Sequence, residues 1–269
     1  MTAKRIAVRG IEMVVDDVGR GEPVVLVHGF PLGRALWDPL VADLRDSCRV
    51  VTYDLRHHGE TGGADVATSM EDFADDLLGV IDSLDLPRAV VGGLSMGGYA
   101  ILQAVRKAPA RFRALLLFDT RATPDTEEAR KGRFETAARV RRDGPDAFVA
   151  AFVEKLVSPS TWTGKPQVVE AVRSMAARST AAGIARTLEA LADRPSYVEV
   201  LPAIDVPTLV VVGEDDGITP PAMAELIASG VRGSKLVTVP QAGHVSPIER
   251  PDVVGPAVRG FLREAGILR

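Results

Sequence analysis

Apolar runs of strand length, set between helical patterns, restrict this chain to few architectures. Residues 24–27, 50–53, 89–91, 114–118, 208–212 and 235–239 are dominated by valine and leucine and alternate little between polar and apolar. That is the pattern of strands covered on both faces. Residues 6–9 and 11–15 read as an opening hairpin. Helical patterns occupy 35–44, 69–84 and 96–107, and later 220–229 and 251–264. Pro220 and Pro251 stand near first helical turns, where a missing N–H does no harm. The alternation predicts an α/β fold, a mostly parallel eight-stranded sheet flanked by helices. From about residue 125 to 200 the rhythm breaks: helical patterns continue without a strand run, punctuated by Pro145, Gly164, Pro166, Gly183 and Pro195. A helical cap inserted after the sixth strand accounts for this. It divides the chain into a core of residues 1–122 and 201–269 and a cap of 123–200.

A chain of 269 residues suits one large α/β domain. Its net charge of −4 and the lack of a basic face argue against a nucleic-acid partner. The densest basic stretch, 139–142, is followed by Asp143 and reads as a solvated helix end. The one cysteine, Cys48, lacks the neighbouring base and tight turn that a thiol nucleophile requires, and reads as a buried structural thiol. The first residues lack the apolar run of a signal peptide, and no run approaches membrane-spanning length. The expectation is a cytoplasmic monomer or homodimer with neither membrane nor nucleic-acid partner.

Gly93-Leu94-Ser95-Met96-Gly97 follows a strand pattern and precedes a helical one. Gly-x-Ser-x-Gly in that setting is a nucleophile elbow. The serine takes a strained backbone conformation, so its neighbours two residues away must be small. The turn also sets Ser95 at a helix N-terminus, where free N–H groups and the positive dipole end favour a developing anion. The Met96 N–H is then a natural oxyanion donor. The alternative is a glycine-rich packing turn with an incidental serine.

A serine hydroxyl needs a base to become a nucleophile. Of His28, His57, His58 and His244, the last lies just after the final strand, at the strand end where α/β sites assemble. A base in turn needs a carboxylate to fix its tautomer. Glu214, Asp215 and Asp216 follow the preceding strand; the chain order Ser95, Asp216, His244 fits. Asp215 is the near rival and Asp119, after the sixth strand, a weaker one. The loop His28-Gly29-Phe30-Pro31 after an early strand offers the Phe30 N–H as a second oxyanion donor. His28, His57 and His58 read as loop braces.

Together these segments resemble the α/β-hydrolase superfamily over essentially the whole chain. His28-Gly29-Phe30-Pro31-Leu32 resembles its oxyanion loop. Asp54-Leu55-Arg56-His57-His58-Gly59-Glu60-Thr61 resembles its Asp-x-Arg-Gly-x-Gly-x-Ser loop, with His57 replacing Gly and Thr61 replacing Ser. In Gly213-Glu214-Asp215-Asp216-Gly217-Ile218-Thr219-Pro220 the family's spacing selects Asp216, and the segment from Ala242 to Pro251 resembles its histidine loop. The nearest likeness is to 3-oxoadipate enol-lactonases and small carboxylesterases. The cofactor-free haloperoxidase and perhydrolase branch shares His-Gly-Phe-Pro and Ser-Met-Gly-Gly. The resemblance implies hydrolysis of small or medium esters or lactones through an acyl-enzyme on Ser95, with no metal or organic cofactor. Perhydrolysis, acyl transfer and a catalytically silent binding role are the alternatives. Activity is expected to fall below roughly pH 6.5, the ordinary histidine value. Candidate substrate contacts are Phe30, Arg121 and, from a cap that also offers Phe134, Phe148, Phe152, Leu156 and Met175, Trp162.

Overall fold

The structure, a computed structural model, describes residues 3–63 and 68–268; residues 1 and 2, at the head of the N-terminal segment read above, lie outside them. Eight strands form one sheet: β1 (Lys4–Val8), β2 (Ile11–Gly19), β3 (Glu22–Val27), β4 (Cys48–Tyr53), β5 (Ala89–Leu94), β6 (Phe112–Phe118), β7 (Thr208–Gly213) and β8 (Lys235–Val239). Their order across the sheet is β1-β2-β4-β3-β5-β6-β7-β8. Strand β2 runs antiparallel to β1 and β4, and every later neighbour pair is parallel. All residues of β5 and β7 are buried, as apolar runs without alternation require.

Strand β8 departs from that expectation. Lys235 and Leu236 are exposed, because β8 is the last strand and only its C-terminal end, at Val239, reaches the covered interior. The helical pattern at 35–44 also divides. A 3₁₀ turn, Arg34–Trp37, precedes α1 (Asp38–Leu44), whose Pro39 occupies the first turn and gives up no needed hydrogen bond. Helix α2 (Met70–Ser83) begins at a reciprocal cap: Ser69 Oγ accepts from Asp72 N–H while the Asp72 carboxylate accepts from Ser69 N–H. Helix α3 (Met96–Lys107) packs on α2, and α1 packs on α11 (Pro251–Glu264), so the sheet lies between helical layers.

Between β6 and β7 the chain forms the cap: α4 (Glu127–Asp143), α5 (Asp146–Leu156), α6 (Pro159–Gly164), α7 (Pro166–Ala176) and α8 (Ala181–Ala192). Helices α4 and α8 pack together. Helix α9 (Pro221–Gly230) links β7 to β8, and the short α10 (Ser246–Glu249) precedes α11. Cys48 opens β4 as a buried thiol, pushed up to about 11 by burial and the nearby Glu22. Among the described residues no helix is long and apolar enough to cross a membrane.

Candidate active site

The chain between β5 and α3 reverses at Ser95, which has φ 53° and ψ −112°. A non-glycine residue there is strained by about 1–3 kcal/mol, so the surroundings must hold it. They do so through the backbone. Ser95 N–H donates to Phe118 O at 2.9 Å, and Ser95 O accepts from Thr120 Oγ1 at 2.8 Å. The flanking glycines are steric necessities. A Cβ at Gly97 would stand 2.3 Å from Val27 O, and one at Gly93 would stand 2.6 Å from the Gly97 carbonyl carbon. Ser95 retains 9% exposure at the C-terminal edge of the sheet, so its hydroxyl stays within reach of a ligand.

Asp216 and His244 stand at the same edge, on the loops after β7 and β8. Asp216 Oδ1 accepts from the N–H groups of Ile218 and Thr219, at 2.8 and 2.9 Å. Its Oδ2 accepts from Thr219 Oγ1 at 2.7 Å and from His244 Nδ1 at 2.8 Å. The carboxylate partner places the imidazole proton on Nδ1 and leaves Nε2 as the basic nitrogen. Burial pushes the Asp216 carboxyl up, but His244 and the donors from Thr219 outweigh it and hold the group below the usual carboxylate value. No hydrogen bond joins Ser95 to His244. Bonds to a nucleophile are often open before substrate arrives.

The two rival acids occupy other places. The Asp215 side chain is exposed, and its backbone N–H is bonded to Ala242 O at 2.8 Å. Asp119 is fully buried and accepts from Gly213 N–H at 2.7 Å and Ser246 Oγ at 2.6 Å. It thus fastens the loops of Asp216 and His244 to each other without touching His244. Burial, with the charge of Asp216 beside it, raises its carboxyl well above the usual range.

Glu249 escaped sequence reasoning. Its buried carboxylate accepts from Gly243 N–H at 2.8 Å and Ser158 N–H at 2.7 Å, tying the histidine loop to the start of α6. The only sequence signal is a glutamate five residues after His244.

The early loop is braced as expected by His28. Its Nδ1 donates to Gly29 O at 2.8 Å and its Nε2 accepts from Leu55 N–H at 3.0 Å; burial lowers its pKa and keeps it neutral. Gly29 lies against Ser95: an added Cβ would come within 3.3 Å of the serine Cβ. The next residue, Phe30, has no backbone acceptor for its N–H among the described residues. Met96 is the first residue of α3, so its N–H lacks an intrahelical acceptor. The Phe30 ring packs against His58, Phe148 and Phe152, at 5.9, 5.8 and 5.7 Å between centroids. His57 bonds Thr68 at 2.9 Å, and His58 bonds Ser179 and Thr187, both at 3.1 Å.

Arg121 is engaged elsewhere, in an ion pair with Asp125, which also holds Arg133 and Arg194. Trp162 stands on α6 with 39% exposure. Neither has a hydrogen bond, ion pair or ring contact with Ser95, Asp216 or His244. Among the described residues no group of three or more His, Cys, Asp or Glu is arranged to hold a metal ion. Chemically, the site offers a strained hydroxyl, a basic imidazole nitrogen backed by a carboxylate, and two free N–H groups.

A model described as the alpha/beta hydrolase family matches residues 24–257. A solved thermophilic esterase from Thermogutta terrifontis, with malate bound, superposes with a TM-score of 0.94 at 39% identity, covering 98% of this chain and 99% of that one. The 3-oxoadipate enol-lactonase 2 of Acinetobacter baylyi is 27% identical over 91% of both chains. A putative non-heme chloroperoxidase of Synechocystis is 28% identical, over 94% of this chain and 95% of its own.

Proposed function

The chain belongs to the alpha/beta hydrolase family, and from that premise we propose that it is a carboxylic ester hydrolase, cleaving esters or lactones of small to medium size through an acyl-enzyme on Ser95. The observation that carries this reading is the buried Asp216–His244 pair, at 2.8 Å, on the same sheet edge as the strained Ser95.

His244 Nε2 takes the Ser95 hydroxyl proton as Oγ attacks the carbonyl carbon. Asp216 keeps Nδ1 protonated and stabilises the imidazolium that forms. The N–H groups of Phe30 and Met96 donate to the oxyanion, an interaction that strengthens as charge develops. The tetrahedral intermediate collapses, and Nε2–H gives its proton to the departing alkoxide. Water, deprotonated by the same nitrogen, attacks the acyl-enzyme; the acid leaves and the Ser95 hydroxyl is restored. The cap, residues 123–200 over a core of 1–122 and 201–269, bounds the space for the acyl group, with Phe30 as a wall. Arg121 and Trp162 are weaker candidates for substrate contact, since one is paired and the other lies outward.

A panel of chromogenic esters of increasing acyl length, with lactones, tests this against Ser95→Ala. The expected loss in kcat is at least about 10³-fold, together with loss of fluorophosphonate labelling. Full activity in the variant overturns the mechanism. Similarity to the chloroperoxidase supports a second reading, in which peroxide receives the acyl group; an added alcohol as acceptor is the separate acyl-transfer alternative. Product ratios with these acceptors in competition with water decide among the three.

A further inference from the structure

The loop that carries Phe30 is held by hydrogen bonds that begin in the cap. Phe30 N–H and Gly29 C=O belong to one planar peptide, so a bond to Gly29 O also orients the Phe30 donor. Gly29 O accepts twice, from His28 Nδ1 at 2.8 Å and from Leu32 N–H at 2.9 Å. Leu32 N–H in turn shares a peptide plane with Pro31 C=O. Pro31 O accepts from Ser179 Oγ at 3.1 Å, and Ser179 lies in the cap, between α7 and α8.

The directions of these bonds follow from the groups themselves. A carbonyl only accepts, so the one hydrogen of the Ser179 hydroxyl points at Pro31. The contact of 3.1 Å between Ser179 Oγ and His58 Nδ1 is then donated by the imidazole. Burial keeps His58 neutral, and a neutral imidazole has a single N–H. Its Nε2 therefore accepts from Thr187 Oγ1, at 3.1 Å. From Thr187 through His58, Ser179 and Leu32 to Phe30, every donor points the same way, toward the place of the oxyanion. Bonds aligned in this manner polarise one another, by roughly 10–30% each. His58, Ser179 and Thr187 are all buried, so water does not compete for them. The Phe30 ring also meets the His58 ring edge to face, at 5.9 Å.

Resting on the reading of Ser95 as nucleophile and Phe30 N–H as oxyanion donor, we propose that Ser179 is a positioning residue for that donor, aligned by His58 and Thr187. The cap thereby takes part in the acyl-transfer step through the backbone of the core loop.

Kinetics of a short acetate ester, at a temperature where every variant is fully folded, test this. Ser179→Ala is expected to lower kcat by about tenfold with little change in KM, a fraction of the roughly 10²–10³-fold that a whole oxyanion donor supplies. The rate of fluorophosphonate labelling is expected to fall in the same proportion, because the phosphoryl oxygen needs the same donors. Ser179→Thr, which keeps the hydroxyl, is expected to restore most of both rates. Thr187→Val keeps the shape and removes only the first donor; a loss of about two- to threefold is expected. The acid limb of the pH profile stays in place throughout, since His244 is untouched. A lowered Tm with unaltered kcat in Ser179→Ala reduces the residue to a structural brace and overturns the proposal. A shifted acid limb overturns it equally, by routing the effect through His244. Acetate hydrolysis that survives Ser95→Ala instead removes the reading on which the proposal rests.

Discussion

The turn at Ser95 depends on close backbone packing. A Cβ at Gly97 meets the carbonyl oxygens of Val27 and His28 at 2.3 and 2.9 Å, and backbone of this kind cannot swing aside. Gly97→Ala is expected to cost about 1–3 kcal/mol and to displace the nucleophile. Gly132→Ala, in open space on α4, is expected to stabilise by about 0.5–1 kcal/mol. Denaturant midpoints of the two variants check both signs; equal midpoints remove the steric account. Gly93 and Gly97 were legible in the sequence because a strained turn imposes its rule within two residues. The family resemblance singled out Asp216 over Asp215 by its place between Gly213 and Pro220, and Asp216 is the one that lies buried beside His244. The open geometry between Ser95 and His244 was not legible, because residues 149 positions apart are set by the fold and by rotamers (a quantity no local pattern encodes).

At the scale of elements, the histidine loop, α10 and α6 meet at one buried carboxylate. Removing it in Glu249→Ala leaves the N–H groups of Gly243 and Ser158 without their acceptor. The expected cost is about 1–3 kcal/mol for each stranded group. The variant is expected to melt lower and to lose kcat more than it raises KM, because His244 follows Gly243 directly. An unchanged Tm with normal kcat counts against this. The partnership could not be read from the chain, since Ser158 and Glu249 lie 91 residues apart. Most strands were readable because burial on both faces writes itself as an unbroken apolar run. The same rule misjudged β8, whose run resembles the others while its position at the end of the sheet leaves Lys235 and Leu236 outside. Residues 35–44 misled in another way: their apolar spacing is helical throughout, but Pro39 marks the start of a second helix.

Across the whole molecule, core and cap are joined at His58, buried after β4 and bonded to Ser179 and to Thr187 of α8. Burial, reinforced by His28 and His57 nearby, holds its imidazole well below the ordinary value, so the folded protein keeps it neutral. The unfolded chain protonates the same group near pH 6.5. Below that value the unfolded state binds more protons, so this part of the stability is present above pH 6.5 and is lost as pH falls toward the folded value. Unfolding free energies measured from pH 7 to 5 are expected to decline. In His58→Gln the slope is expected to flatten by up to about 1.4 kcal/mol per pH unit; identical slopes exclude His58 as the cause. The sequence marked His58 as a brace but gave no sign of which cap helix it grips.

The two ends of the sheet carry a final consequence. An open sheet presents unpaired backbone groups at each margin, a template on which further chains can add strands. The outer strands β1 and β8 both begin with lysine, and those lysines pair with Asp17 and Glu264 of their own chain. Leu236 is exposed beside one of them, so the margin at β8 is greasy as well as open. Charged side chains at both margins oppose the edge-to-edge addition of further strands, and β8, with Leu236 exposed, is the less guarded of the two.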